Sequence, residues 1–387
     1  MSIAAVPSYL GTDFKEASLG QRFGMYLGIW NNQFAKETNA FSALSAAGKL
    51  YDNDKAILKG LHERQQAAFS TAANTLQLDA IATAPFTTGL GNEHPLENGF
   101  AFMNPYGLPY LPGSGVKGVL RQAARELASG EWGEQPGWNE SAITALFGLE
   151  SADGDTEHWR GALSFWDVIP QIKGDSLAVE IMTPHQKHYY QDGRTPHDSG
   201  QPTPICFLTV PPGSGFTFHV QCSLAYLQQI APELAKNERW KILLTNAFEH
   251  AFDWCGFGAK TAVGYGAMGE DKNKKTERQK IEKAKQDAEQ KALQEAARQQ
   301  EIATMNPVDK AIAECLDSRV DKTQPEINVL LAALKANQWG ADLAKGVAQK
   351  LKEKMLSEKK WRENSEKKNP DKDKDYVNTQ IVIKFLK

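Results

Sequence analysis

A chain of 387 residues exceeds what one ordinary core sustains, so two or three compact units are expected. Hydrophobic residues at 41% and charged residues at 24% fit a folded protein and exclude a disordered one. No apolar run approaches the roughly 20 residues of a spanning helix, and the start "MSIAAVPSYLGTDF" lacks the basic head and apolar core of a signal peptide, so a cytoplasmic location is expected and no membrane partner.

The formal charge of −3 is unevenly spread. Residues 1–270 hold 18 Lys and Arg against 27 Asp and Glu, whereas residues 271–387 hold 26 against 20. A polyanion bound by the first part must therefore meet a local basic patch, because the overall field of that part repels it. Cys206, Cys222, Cys255 and Cys315 are far apart and form no CxxC pair, so reduced, packed thiols are expected rather than a zinc knuckle or a disulfide framework.

Residues 1–74 read as a helical leader, since "QRFGMYLGIWNNQF" and "DKAILKGLHERQQAAFSTA" space apolar side chains at three and four residues. From Thr75 the texture becomes strand-like in "LQLDAIATA", "GALSFWDVI", "SLAVEIM", "ICFLTV" and "FTFHVQC", each bounded by Gly, Pro or Asp. Two helices interrupt these runs, "GVKGVLRQAARELAS" and "NERWKILLTNAFEHAFDWC", the second with Trp240, Leu243, Leu244, Ala247 and Ala251 on one face. That order predicts an α+β sheet with helices on one side, a ferredoxin-like βαββαβ unit being the simplest case, over residues 75–270. Residues 271–387 read as a lysine-rich, mostly helical extension: a solvated helix, a small helical region from Asn306 to Leu356, a linker, and a strand-like end "YVNTQIVIKFLK".

The stretch "YGLPYLPGSGVKGVLRQAARE" invites comparison with a phosphate loop. A P-loop needs GxxxxGK followed by Ser or Thr, but Lys117 is followed by Gly118, and "WCGFGAKTAVGYG" has Trp254 and Ala259 where glycines belong. Gly264 to Gly269 match GxGxxG, yet a polar lysine-rich segment follows instead of an apolar helix. No nucleotide cofactor is expected. Two readings of the Gly113, Ser114, Gly115 turn stand. Its free amides, with Lys117 and Arg121 on one helix face and Arg125 extending the row, could take a phosphodiester; or Ser114 is a plain N-cap and the cations solubilise the surface.

The segment "IMTPHQKHYYQDGRTPHDSGQPTPI" places His185, His188 and His197 with Lys187, Tyr189, Tyr190 and Arg194 in a long Pro- and Gly-punctuated loop. Metal ligation by His185 and His188 is weakened by Pro184, so no metal is expected. Acid–base cleavage of RNA by a histidine, or stacking on splayed bases with contacts to phosphates, are the other readings.

Taken in order, "TGLGNEHPLENGFAF", "GLPYLPGSGVKGVLRQAARE", "GALSFWDVIP", "MTPHQKHYYQDG" and "GFGAKTAVGYG" resemble the RAMP superfamily of CRISPR proteins, most closely the family of sixth subunits of the Cmr (type III-B) effector module, over roughly residues 75–269. The resemblance implies a ferredoxin-like (RRM-like) core and a subunit without catalysis. Its implied partners are guide crRNA, target RNA, the repeated backbone subunit, the small helical subunit and the end-capping RAMP subunit. It implies that Gly113, Ser114, Gly115, Lys117 and Arg121 lie against guide backbone. The loop with Gly256, Gly258, Lys260, Thr261, Gly264 and Gly266 would then lie beside the RNA. The 185–204 loop, with His185, Lys187, His188, Tyr189 and Arg194, would be a thumb-like insertion parting guide from target. The loop matching the family's cleavage loop offers Glu93, His94 and Glu97 and no aspartate, which implies no slicing. The alternative is a RAMP-type metal-independent endoribonuclease of repeat RNA; a small-molecule enzyme finds no catalytic constellation.

Overall fold

The computed structural model describes all residues except 1, 38, 133–136, 150–157, 184–188, 190–192, 194, 196–203, 320, 366 and 368. The chain divides into two compact units, Met1–Glu277 and Arg278–Lys387. The leader carries helices α1 (Leu19–Gly24), α2 (Ala40–Ala47) and α3 (Asp52–Thr71), and β1 (Thr75–Ala82) follows. A short pair β2 (Phe102–Met103) and β3 (Leu108–Pro109) precedes α4 (Gly113–Ser129) and α5 (Glu140–Phe147). Next come β4 (Leu163–Phe165), the pair β5 (Ala178–Met182) and β6 (Ile205–Thr209), and β7 (Gly215–Cys222). Helices α6 (Leu224–Ile230), α7 (Pro232–Ala235) and α8 (Arg239–His250), a π turn at Ala251–Cys255 and β8 (Met268–Glu270) complete the sheet-bearing part.

The main sheet has the order β4-β7-β1-β8 with every pairing antiparallel. Strand β7 alternates apolar and polar residues, and its register sets Val220 opposite Leu76, Phe218 opposite Leu78 and Phe216 opposite Ala80. Those pairs share one face. On that face α4 contributes Val116, Leu120, Ala123, Ala124 and Leu127 to the core, and α8 contributes Trp240, Leu243, Leu244, Ala247 and Phe248. Phe218 sits among Phe248, Phe252 and Phe257, with ring centroids 4.9–5.8 Å away.

The opposite face carries Asp79, Thr217 and His219, all buried. Helix α3 supplies its partners. Phe69 packs edge-on to the His219 ring at 4.5 Å, and Gln66 Nε2 lies 3.5 Å from His219 Nε2. Gln171 bridges His62 of α3 and Thr217, whose hydroxyl donates to Asp79 Oδ1 at 2.7 Å. The leader is thus part of the first unit's core, to which Leu19, Phe23, Leu27, Ile29, Leu44, Leu50 and Leu61 also belong. It is knotted by a buried ion pair, Arg22 Nη2 to Asp54 Oδ2 at 2.8 Å; Arg22 also donates to the carbonyls of Ala47 and Lys49, and Asp54 accepts the Tyr51 N–H.

Helix α9 (Lys272–Thr304) leads into the second unit, where α10 (Pro307–Asp317), α11 (Glu326–Lys335), α12 (Ala341–Ser357) and α13 (Lys374–Leu386) share a core of Ile327, Leu330, Leu331, Leu334, Val347, Leu351, Met355 and Val382. The strand expected at the C-terminus is a helix instead. Ile381 and Phe385, four apart, turn toward this core with Val382, and Asp373 caps the N-terminus, so packing overrides the β-branched composition. Within the expected linker, Trp361 packs on the same core and the Arg362 N–H donates to Thr379 Oγ1 at 3.0 Å. Among the described residues no helix is long and apolar enough to cross a membrane.

Asp54→Ala leaves the Arg22 guanidinium buried without its partner and should cost about 3–5 kcal/mol in urea unfolding. Burial, reinforced by His62, lowers the His219 pKa from 6.5 to about 4. The folded state therefore binds fewer protons than the unfolded state between those values, and stability should fall by about 3 kcal/mol as pH drops from 6.5 to 4. His219→Gln should flatten that slope in urea melts taken across the window.

Candidate nucleic-acid interface

The start of α4 is fixed before any ligand is considered. Leu111 and Val168 exchange backbone hydrogen bonds of 2.9 Å, and Pro112 supplies the extended N-cap. The Gly113 N–H does not face outward as the sequence suggested; it donates to Asp167 Oδ1 at 2.7 Å. A Cβ at Gly113 would collide with the Phe165 carbonyl oxygen, so this glycine is required by the approach of the helix to β4. The protein supplies its own anion to the positive end of the helix. Ser114 is not the N-cap but an exposed residue of the first turn, and Gly115 donates back to the Pro112 carbonyl.

One turn on, Lys117 and Arg121 do share a face, as their spacing predicts. Arg121 Nη2 donates to the carbonyls of Phe147 and Gly148 at 2.8 and 3.1 Å, so it satisfies the C-terminal end of α5. Lys117 has no carboxylate partner among the described residues. Its pKa is lowered from the ordinary lysine value by partial burial and then by the charges of Arg121 and Arg160. Arg160 was not singled out from sequence. It enters because Gly148 forms a bridge with it and the Leu149 N–H donates to the Trp159 carbonyl at 3.0 Å, which brings the strand entry beside the end of α5. Trp159 is 54% exposed, and with His158, Arg160, Tyr226 and Ile230 it lines an open groove of about 650 Å³. The signal was present as "HWRG", an aromatic–basic pair just before a predicted strand.

The glycine-rich loop is held by its own backbone. Phe257 N–H donates to the Gly266 carbonyl, Gly266 N–H to Pro85 and Ala259 N–H to Thr87, at 2.8–2.9 Å. A Cβ at Gly258, whose φ is +94°, would strike the Thr87 carbonyl, so the close approach this glycine permits is to the protein itself. The tip differs. Gly264, also at φ +94°, has open space where a Cβ would point, Val263 is exposed, and Lys260 and Thr261 stand half-buried at its base.

Strands β5 and β6 pair antiparallel and carry the 183–204 segment between them. Tyr189 is exposed, while His185, Lys187, His188 and Arg194 lie outside the described residues. In the 88–101 loop His94 stacks on Phe23 with ring centroids 3.9 Å apart. Its Nε2 lies 3.1 Å from the Phe23 carbonyl and its Nδ1 accepts the Leu96 N–H at 3.2 Å, a pairing that fixes the tautomer and occupies both nitrogens. Burial lowers its pKa from the ordinary 6.5. Glu93 and Glu97 are exposed.

Known proteins share part of this sequence. Residues 80–268 match the family model of the RAMP superfamily. CRISPR system Cmr subunit Cmr6 of Pyrococcus furiosus is 27% identical over 228 residues, covering 46% of this chain and 63% of that protein. Its counterpart in Saccharolobus solfataricus is 29% identical over 172 residues, covering 44% of this chain and 50% of that protein. The chain thus spans between half and just under two thirds of the length of these curated relatives. Among solved structures, a type III-B Cmr-beta complex bound to cognate target RNA aligns with TM-score 0.41 at 20% identity, over 60% of this chain and 70% of that one. The crystal structure of Pyrococcus furiosus Cmr6 aligns with TM-score 0.29 at 22% identity, over 51% of this chain and 98% of that one. Residues 80–268 thus carry the RAMP superfamily match, and the chain is homologous to Cmr6, a subunit of type III-B Cmr CRISPR effector complexes.

Proposed function

We propose that this chain is a non-catalytic RNA-binding subunit of a type III-B effector, acting in antiviral defence. It holds the 3′ part of the guide crRNA and meets the guide–target duplex near the end of the backbone of repeated subunits, with the small helical and end-capping RAMP subunits as further partners. The observation that carries this reading is the convergence of Lys117, Arg121 and Arg160 beside exposed Trp159. Three cations brought together without a carboxylate beside Lys117 raise one another's free energy. A phosphodiester relieves that repulsion, and an indole face can take a base in any sequence. Such a surface reads backbone and stacking only, which suits a guide whose sequence varies and whose pairing carries the information.

The order β1, helices, β4, β7, helices, β8 with β8-β1-β7-β4 across the sheet supports a ferredoxin-like reading of the core, with β5 and β6 as an insertion bearing the thumb-like 185–204 loop. The absence of catalysis is supported by His94, whose two nitrogens are both engaged in the loop that matches the family's cleavage loop.

Labelled single-stranded guide RNA titrated against the full-length chain at several salt concentrations tests the binding surface. Lys117→Glu and Arg160→Glu should each weaken binding and lower the slope of log K against log salt by about 0.7 per lost phosphate contact. Unchanged affinity and slope in both variants would remove this surface from the RNA path. The enzymatic alternative is checked with repeat RNA in EDTA. Intact RNA is expected, whereas site-specific cleavage abolished by His185→Ala would establish the endoribonuclease.

A further inference from the structure

Among the described residues, one cluster of metal-ligand side chains lies outside the proposed RNA surface. Glu126 near the end of α4, His250 at the end of α8 and Cys255 at the end of the π turn place their ligand atoms within 4.8 Å of one another. His250 Nε2 lies 2.6 Å from Glu126 Oε2, and Cys255 Sγ lies 3.9 Å from the same oxygen. We propose that Glu126, His250 and Cys255 form a binding site for a zinc-class divalent cation, with three protein ligands and a fourth position open to water.

The backbone argues for this first. His250 and Cys255 are five residues apart, and at 3.6 residues per turn they would stand about 140° apart around the helix. The chain does not continue as an α-helix there. Gly256 N–H reaches back to the Ala251 carbonyl at 2.9 Å, an i to i+5 bond, and the wider turn brings Cys255 round beneath His250. Turns of this kind are rare, and they concentrate at functional sites.

Distances argue next. Around a tetrahedral ion with bonds of 2.0–2.3 Å, a nitrogen and an oxygen ligand stand about 3.4 Å apart and a sulfur and an oxygen about 3.6 Å. The thiol and carboxylate are already near that separation, the imidazole and carboxylate must part by less than about 1 Å, and the imidazole and thiol start no more than 4.8 Å apart. Glu126 is exposed enough to yield, while His250 is 7% exposed and fixed with its Nε2 facing the cluster. A second tier is present too: Gln122 Nε2 donates to Glu126 Oε1 at 3.0 Å and leaves Oε2 for the ion. Trp132 lies edge-on to the His250 ring and against Trp254, both at 4.8 Å, so indoles screen one side from water.

The donor set selects the metal. One thiolate, one imidazole and one carboxylate suit zinc and disfavour magnesium and calcium, which take oxygen ligands. Binding would deprotonate the thiol, release that proton to solvent and tie α4 to the end of α8 and the base of the glycine-rich loop. This inference is independent of the RNA reading.

The full-length chain, treated with chelator and a phosphine reductant, is titrated with Co²⁺ and then Zn²⁺. One equivalent of Co²⁺ should produce a thiolate-to-cobalt charge-transfer band and tetrahedral visible bands, which Zn²⁺ erases. Cys255→Ser should abolish the charge-transfer band, Cys315→Ser should keep it, and Glu126→Gln should weaken binding by about tenfold or more. In case Cys255→Ser folds poorly, thermal melting of the unmodified chain supplies a second readout: Zn²⁺ should raise the melting temperature and chelator should reverse it. No charge-transfer band in the unmodified chain, a band that survives Cys255→Ser, or melting indifferent to Zn²⁺ would each overturn the site.

Discussion

The register between β1 and β7 is the constraint on which the first unit depends. A slip of one residue would turn Phe216, Phe218 and Val220 away from α4 and α8, and would push Thr217 and His219 into the aromatic core. With the observed register the sheet has one face that only apolar helices can fill and one that only a partly polar helix can cover. Leader helix α3 meets the second need through His62, Gln66 and Phe69. The leader is therefore an obligatory layer of this unit, and its buried Arg22–Asp54 pair holds together the turns that present α3.

The same constraint decides where charge accumulates. Docking α4 on the apolar face brings its first turn against β4, where Asp167 answers the helix dipole. The positive end of the helix is thereby spent inside the protein, and under the proposed function the cations one turn later would carry the attraction for an anion. Arg121 is held by the α5 carbonyls, so its charge is fixed in place at little further entropic cost on binding, and Lys117 and Arg160 are poised around it. In a part of the chain whose net charge is negative, such local concentration is what the proposed attraction to phosphate would need at short range, since the distant acids are screened within about 8–10 Å at ordinary salt.

Glycines in this chain also separate by role once their surroundings are known. Gly113 and Gly258 exist for contacts of backbone on backbone, whereas a Cβ at Gly264 would meet nothing among the described residues. The π turn has a comparable logic: a single departure from helical geometry after His250 changes which side chains meet. Cys255 joins Glu126, a residue 129 positions earlier in the chain, and Trp132 packs on the His250 ring beside them.

Much of this was legible in the sequence. The β runs, the two interrupting helices, α3 and the lysine-rich helix follow from local composition, turn residues and helical spacing, and the ordered motifs of residues 75–269 pointed to the RAMP superfamily. Lys117 and Arg121 on one face follow from helical spacing alone. Tertiary structure decided the rest, because it depends on residues far apart in the chain. It paired Gly113 with Asp167, set Arg160 beside Lys117, engaged both nitrogens of His94 and gathered Glu126, His250 and Cys255. It also made the β-branched end at Lys374–Leu386 a helix, since a weak propensity yields to the burial of Ile381, Val382 and Phe385 in a core built by other helices.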